Sequence, residues 1–202
     1  MQKLITPTMG IFGPCRLSYL TVFKPRMNEL KKEEQYSVVL LFPKKDNDFC
    51  KDANANIQFV AQMIKTAAAE KFGDSVKKYE IPMKDGDVET DSEGEPKHPG
   101  YRYMRVMAKV EYPPVLIDGN RRPVTGGWES GDWGIIKCSF FGYDFQGKKG
   151  VSVGLRAIQF VAKDEPFGSS SDPATVANEF DEVAGYVAPN SSTSDEEDDP
   201  FA

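Results

Sequence analysis

Residues 101–112 read YRYMRVMAKVEY. Side chains of an extended strand alternate between two faces. Met104, Val106, Ala108 and Val110 fall on one face, which suits an apolar core. Tyr101, Tyr103, Arg105, Met107 and Lys109 fall on the other. Pro113-Pro114 halts the run, since proline brings no N–H to a ladder. The segment predicts a β-strand with one face in the core and the other carrying rings among cations.

Working outward, four more runs read as strands. Residues 10–24 form one, with a break expected near Gly13-Pro14; residues 35–42, ended by Pro43, form the second. Residues 134–145 and 149–162 follow, joined by a Gln146-Gly147-Lys148-Lys149 turn. Between 35–42 and 101–112, Ala53, Ile57, Val60, Ala61, Ile64 and Ala68 keep helical spacing. Asp46-Asn47-Asp48 offers caps before that helix and Gly73 a stop after it. Residues 81–100 are rich in Pro, Gly and acids and read as a loop or irregular arm. In 115–132, Asp118-Gly119-Asn120 and Gly126-Gly127 predict a hairpin or mobile loop. Strands do not alternate with helices, which argues against a parallel α/β sheet. The expected fold is mainly β: an OB-fold, a five-stranded Greek-key barrel, with one helix after the second strand and loop insertions. The domain is expected to span residues 1–168. After Phe167-Gly168, residues 169–202 become Ser-, Pro-, Ala- and acid-rich and read as a disordered acidic tail.

The 202 residues suit one domain, and 40% hydrophobic composition is enough for one core. No run of 18 apolar residues is present, and the first seven residues lack a signal peptide's apolar segment. A membrane location is therefore not expected. Three cysteines, Cys15, Cys50 and Cys138, are widely spaced and odd in number, which points to a reducing compartment. His98 is the single histidine, too little for a zinc finger, and no metal or cofactor is expected.

The net charge of −6 divides unevenly. Residues 171–202 hold nine acids and no base. Residues 1–170 hold 22 of the 31 acids and all 25 bases, a net of +3. Six of those acids crowd into 85–95; without them the body carries +9. A basic, aromatic-rich body tethered to an acidic tail suggests a polyanion site beside a polyanion mimic. A solubilising tail on an ordinary domain is the other reading.

Rings interleaved with cations fit single-stranded nucleic acid. Rings stack on any base, and cations track phosphates. The candidate ssDNA-binding residues are Tyr101, Tyr103, Arg105 and Lys109, joined by Lys137, Phe141 and Tyr143 of 134–145 and by Arg156. Val151, Val153, Leu155 and Ala157 are expected in the core. In the first strand Arg16 and Phe12 share one parity and Tyr19 and Phe23 the other; either set could be core. Arg16 and Phe12 join the candidates, as does Trp128 of the Gly-rich loop, although a Trp there serves equally as a lid over the core. A tyrosine pair on a solvated sheet would look the same as the stacking face. Asp85-x-Asp87-x-Glu89 resembles a calcium loop, but Thr90 replaces the required glycine and Pro96 the terminal Glu. No strand or helix face gathers carboxylates near the basic surface, so catalysis is not expected.

Several words of the sequence, in order over about 160 residues, match a known family: Arg16-Leu-Ser-Tyr19, Tyr36-Ser-Val-Val-Leu-Leu-Phe-Pro-Lys44, Ile81-Pro-Met-Lys-Asp-Gly-Asp87 and Pro114-Val-Leu-Ile-Asp118. The strongest is Lys149-Gly-Val-Ser-Val-Gly-Leu-Arg-Ala-Ile-Gln-Phe-Val161, followed by Glu165-Pro-Phe-Gly168. The chain resembles phage single-stranded DNA-binding proteins with an OB-fold. The resemblance implies sequence-tolerant ssDNA binding in phage replication or recombination, in the cytoplasm of an infected bacterial host. The end of the chain resembles the acidic tip of bacterial single-stranded DNA-binding proteins. There Asp195, Glu196, Glu197, Asp198 and Asp199 would meet a basic patch on a replication or recombination protein of phage or host, and Phe201 would fill a pocket. Ala202 after Phe201 departs from that pattern. Homodimerisation is left open. The alternative function is a protein-interaction module of the phage replication machinery.

Overall fold

The computed structural model describes residues 1–29, 32–73 and 78–167. The expected tail at 169–202, with Asp195, Glu196, Glu197, Asp198, Asp199 and Phe201, lies outside the described residues. In chain order the elements are β1 (Gln2–Thr6), β2 (Met9–Asn28), β3 (Glu33–Pro43), α1 (Ala53–Phe72), β4 (Lys84–Asp85), β5 (Tyr101–Lys109), β6 (Val115–Ile117), β7 (Trp133–Phe145) and β8 (Lys148–Ala162).

Strands β5, β3, β2, β7 and β8 are neighbours in that order, each pair antiparallel. Strand β8 returns to β5 in parallel, Met107 opposite Gly154, and closes the barrel. Closure removes the free edges that an open sheet would expose. These are the five strands that the sequence predicts, with the helix after the second, and the fold is the expected mainly-β OB barrel. Three short strands are additional. Strand β1 pairs with β2, β4 with β5, and β6 runs parallel to β8. Strand β6 lies in the segment expected as a hairpin or loop. Asp118-Gly119-Asn120 does turn the chain there, with the Asp118 N–H on the Arg122 carbonyl at 2.9 Å.

The barrel interior is filled by Phe12, Leu17, Leu40, Phe42, Met104, Val106, Ile136, Phe140, Leu155, Ile158 and Phe160, all buried. Helix α1 packs Val60, Met63, Ile64, Ala67 and Ala68 against them. It starts where the Asp46 carboxylate accepts the Ala53 N–H at 2.9 Å and stops at Gly73, φ 75°. Contact between helix and sheet is close: a Cβ on Gly10 would lie 2.7 Å from the Met63 sulfur. The β7–β8 turn places Gln146 at φ 51° and Gly147 at φ 80°. Two left-handed residues match the right-handed twist of the strands they join.

Register shifts along the ladders change which residues face inward. Strand β2 slips its register to β7 between Phe12 and Cys15, at Gly13-Pro14. It slips against β3 between Ser18 and Thr21. The β7–β8 ladder slips between Lys137 and Cys138, which leaves Arg156 as the extra residue of a bulge. The inward set therefore runs Val151, Val153, Leu155 and then Ile158, Phe160. Ala157, expected in the core, is a correction: the bulge turns it partly to the outside.

Candidate nucleic-acid interface

Strand β5 keeps the parity that its sequence predicts as far as Lys109; Val110, expected on the core face, is a correction, because the strand has ended there and the side chain is 41% exposed. Met104, Val106 and Ala108 are buried, while Arg105 and Lys109 are exposed and Tyr101, Tyr103 and Met107 half-buried. The ladder aligns Arg105 with Val39 and Ser18, and Lys109 with Gln35 and Arg26. A groove of about 560 Å³ lies over this part of the sheet, lined among others by Tyr19, Arg26, Lys97, His98, Tyr103 and Arg105. Arg105 Nη2 donates to Ser37 Oγ at 3.3 Å. The His98 ring meets Tyr103 edge-on at 4.8 Å. Burial and then Lys97 hold the imidazole below its usual pKa, and burial, followed by Glu89, raises the Tyr103 phenol. Both rings are therefore uncharged near neutral pH.

A second groove of about 480 Å³ continues past the far end of β5 over β8 and β7. Met107, Lys109, Tyr112, Phe141, Gly154 and Arg156 line it. Phe141 is 51% exposed and Tyr112 69%. Together they give this groove two exposed ring faces. Arg156 faces outward, and its Nε donates to Ser139 Oγ at 3.1 Å. The outer row of β5, Tyr103-Arg105-Met107-Lys109, thus joins two grooves that each offer rings and cations. Among the described residues Arg26, Lys97, Arg105, Lys109 and Arg156 form no salt bridge. Asp91 stands at one end of this surface and Glu33 and Glu34 at the other.

Other sequence candidates lie elsewhere. Tyr101 is at the start of β5 opposite Pro43. Lys137 is on β7 between Ile11 and Ala157 and lines neither groove. The Tyr143 hydroxyl donates to Glu80 Oε2 at 2.8 Å and covers Gly150, where a Cβ would come within 2.5 Å of the Tyr143 oxygen. Trp128 stacks on Phe160 at 4.8 Å with Lys163 over its ring, so it is a lid on the core rather than a free platform.

Phe12 is a correction. It has no exposure and packs between Phe42 and Phe140, 5.9 and 6.3 Å away. The slip at Gly13-Pro14 separates it from Arg16, with which it shares sequence parity. Arg16 does face outward but is already engaged. Its Nε donates to the Gly131 carbonyl at 3.0 Å and its Nη2 to the Glu165 carbonyl at 2.8 Å. It also pairs with Asp164 at 3.5 Å and stacks over Phe167 at 4.2 Å. Trp133 Nε1 donates to the same Asp164 oxygen, Oδ2, at 2.7 Å. Arg16 thus clasps residues 129–133 to 164–167.

The acidic arm uses its charge internally. Asp85 and Asp87 both bind Lys44, Arg102 approaches Asp85 at 3.6 Å, and the Gly100 N–H donates to Asp87 at 2.6 Å. Lys44 holds both carboxyls below the ordinary aspartate range and is itself raised. The arm is folded back on the end of β5 by these contacts, which places Lys97 and His98 at the first groove. Two groove rings, Tyr19 and Tyr112, and the cations Arg26 and Lys97 are absent from the sequence-derived set. Tyr112 ends the 101–112 segment at the parity expected to face the core, so alternation gives no signal for it.

Comparison with known proteins agrees with the fold. No curated protein matches the sequence. The single-stranded DNA-binding protein of bacteriophage Enc34, solved in complex with ssDNA, superposes with a TM-score of 0.65 at 21% identity, covering 80% of this chain and 90% of that one. A second structure of the Enc34 protein gives a TM-score of 0.63 at 19% identity, over 85% of this chain and 90% of that one. The single-stranded DNA-binding protein gp2.5 of bacteriophage T7 gives 0.54 at 18% identity, over 94% of this chain and 100% of that one. The family described as "Enterobacter phage Enc34, ssDNA-binding protein" matches residues 8–191, and the chain belongs to that family.

Proposed function

We propose that the chain binds single-stranded DNA without sequence preference and without catalysis, protecting it during phage replication or recombination in the host cytoplasm. The observation that carries this reading is the outer row of β5, Tyr103-Arg105-Met107-Lys109, which links two ring-bearing grooves through cations that form no salt bridge among the described residues. Unstacked bases can reach Tyr103, Phe141 and Tyr112, whereas bases inside a duplex cannot. No reaction is needed for such a role, and the acids that line the grooves, Asp91 and the pair Glu33 and Glu34, stand at opposite ends of the surface. Oligo-dT should bind far more tightly than duplex DNA of the same length. Equal affinity for the two would sink the proposal. Tyr103→Ala should weaken oligo-dT binding by roughly 1–3 kcal/mol, the worth of one stack. Arg105→Ala should also flatten the dependence on salt, measured by fluorescence anisotropy at several salt concentrations. If both variants bind like the parent, the DNA lies on another face.

The tail extends the proposal. Residues 171–202 hold nine acids and no base, so they carry the sign of DNA. A tethered polyanion competes at high effective concentration with DNA for basic groups. Once displaced, Asp195–Asp199 and Phe201 would be available to a replication or recombination protein. A second copy of the chain is a further candidate partner. Deleting 190–202 should raise oligo-dT affinity at low salt, with the gain fading as salt screens both contacts. An unchanged or lower affinity would remove the competition, and a surviving pull-down of the partner would remove the recruitment.

A further inference from the structure

Tyr19 is 70% exposed and sits at φ 48°, in the left-handed region. Aromatic side chains avoid that region, which suits Gly, Asn or Asp. The backbone there is held from both sides. Ser18 is buried. The Leu20 N–H donates to Ser130 Oγ at 3.0 Å, and Leu20 packs against the core. Thr21 Oγ1 donates to the Ser37 carbonyl at 2.9 Å. Between Ser18 and Thr21 the β2–β3 register slips, so Tyr19 and Leu20 form a bulge with Leu20 turned inward and Tyr19 outward. Bulges re-aim side chains beside functional sites. Strained residues persist where the surrounding structure over-determines them. Here the bulge lifts a large ring out of the core and into the groove that also holds Tyr103, His98, Arg26 and Arg105. Nothing in the fold itself requires a ring at this place.

We infer that Tyr19 is a base-stacking residue of the first groove, presented by a bulge whose strained backbone the fold retains for that purpose. The inference rests on the ssDNA-binding reading above. It separates function from structure, because glycine is the residue that the backbone prefers. Tyr19→Gly should leave the thermal midpoint of unfolding unchanged or raised, since it relieves the left-handed strain. The same variant should weaken oligo-dT binding about tenfold, as loss of one stack requires. Tyr19→Phe keeps the ring and should bind within about twofold of the parent on the same scale.

Measuring unfolding midpoints and oligo-dT affinities of the full chain and both variants decides the matter. A Tyr19→Gly variant that binds like the parent removes Tyr19 from the site while leaving the ssDNA reading intact. A Tyr19→Gly variant that loses stability as well as affinity makes the ring a structural element and overturns the inference. A Tyr19→Phe variant as weak as Tyr19→Gly shows that the hydroxyl, not the stack, matters, and overturns it too. A parent that fails to bind oligo-dT overturns the ssDNA reading and the inference together.

Discussion

Affinity for oligo-dT should fall by about two orders of magnitude between roughly 50 and 200 mM monovalent salt. Five cations along the two grooves, Arg26, Lys97, Arg105, Lys109 and Arg156, have no acidic partner among the described residues. Each phosphate neutralised on a single strand contributes about 0.7 to the slope of log K against log salt. Five contacts give a slope of about 3.5, and a fourfold rise in salt then costs about 100-fold. The geometry also says which variants change the slope. Lys109→Ala with Arg156→Ala should lower it by about 1.4, because both line the second groove. Arg16→Ala should leave it unchanged, because that guanidinium is spent on Gly131, Asp164 and Glu165. A slope near zero for the parent would mean that the grooves hold something other than a polyanion. A slope that drops with Arg16→Ala would mean that the clasp opens on DNA.

The sequence was most informative where strands are regular. Over β5 the period of two runs unbroken from Tyr101 to Lys109, so one alternation assigns core and outer face correctly. Along β7 the same rule places Ile136, Cys138 and Phe140 inside and Lys137 and Phe141 outside. The five long strands and the helix were legible for the same reason: each carries its own local pattern of apolar residues. The barrel order follows from those strands once closure is required.

Alternation fails wherever a bulge inserts a residue, since one extra residue exchanges the faces of everything after it. Strand β2 carries three such slips against β3 and β7, and the apparent kinship of Phe12 with Arg16, and of Tyr19 with Phe23, is lost at the first two. Arg156 was legible as outward by alternation, which holds from Val151 to Arg156; the bulge exchanges the faces only from Ala157 on. Strand β1 was missed because Gln2–Thr6 has too few residues to show a period, and it exists by pairing with β2. Strand β6 is three residues long and is likewise made by its neighbour β8. The clasp at Arg16 joins residues almost 150 positions apart. Such a partner is invisible to any local pattern, so a cation near a ring looked like a DNA contact. The acids of the arm find their partner at a distance too, since Lys44 lies some 40 residues earlier.

Phe12→Ala should cost about 3–5 kcal/mol of stability and leave the intrinsic ssDNA contacts in place. The ring has no exposure and touches Phe42 of β3 and Phe140 of β7, so it ties three strands of the barrel through one side chain. Removing it leaves a cavity that close-packed neighbours refill only in part. A domain of ordinary stability has about 5–15 kcal/mol in hand, so the variant should be folded but marginal. Its thermal midpoint should drop by roughly 6–20 °C for a chain of this size. Phe12→Leu retains most of the apolar volume and should fall between the two. The decisive comparison sets the unfolding midpoint beside oligo-dT affinity measured well below it. A ring that stacks on DNA would show the reverse pattern, with the midpoint held and affinity lost. Folded Phe12→Ala that binds within a few-fold of the parent places the ring in the core, and the stacking work then falls to the rings that the bulges and the closed barrel turn outward.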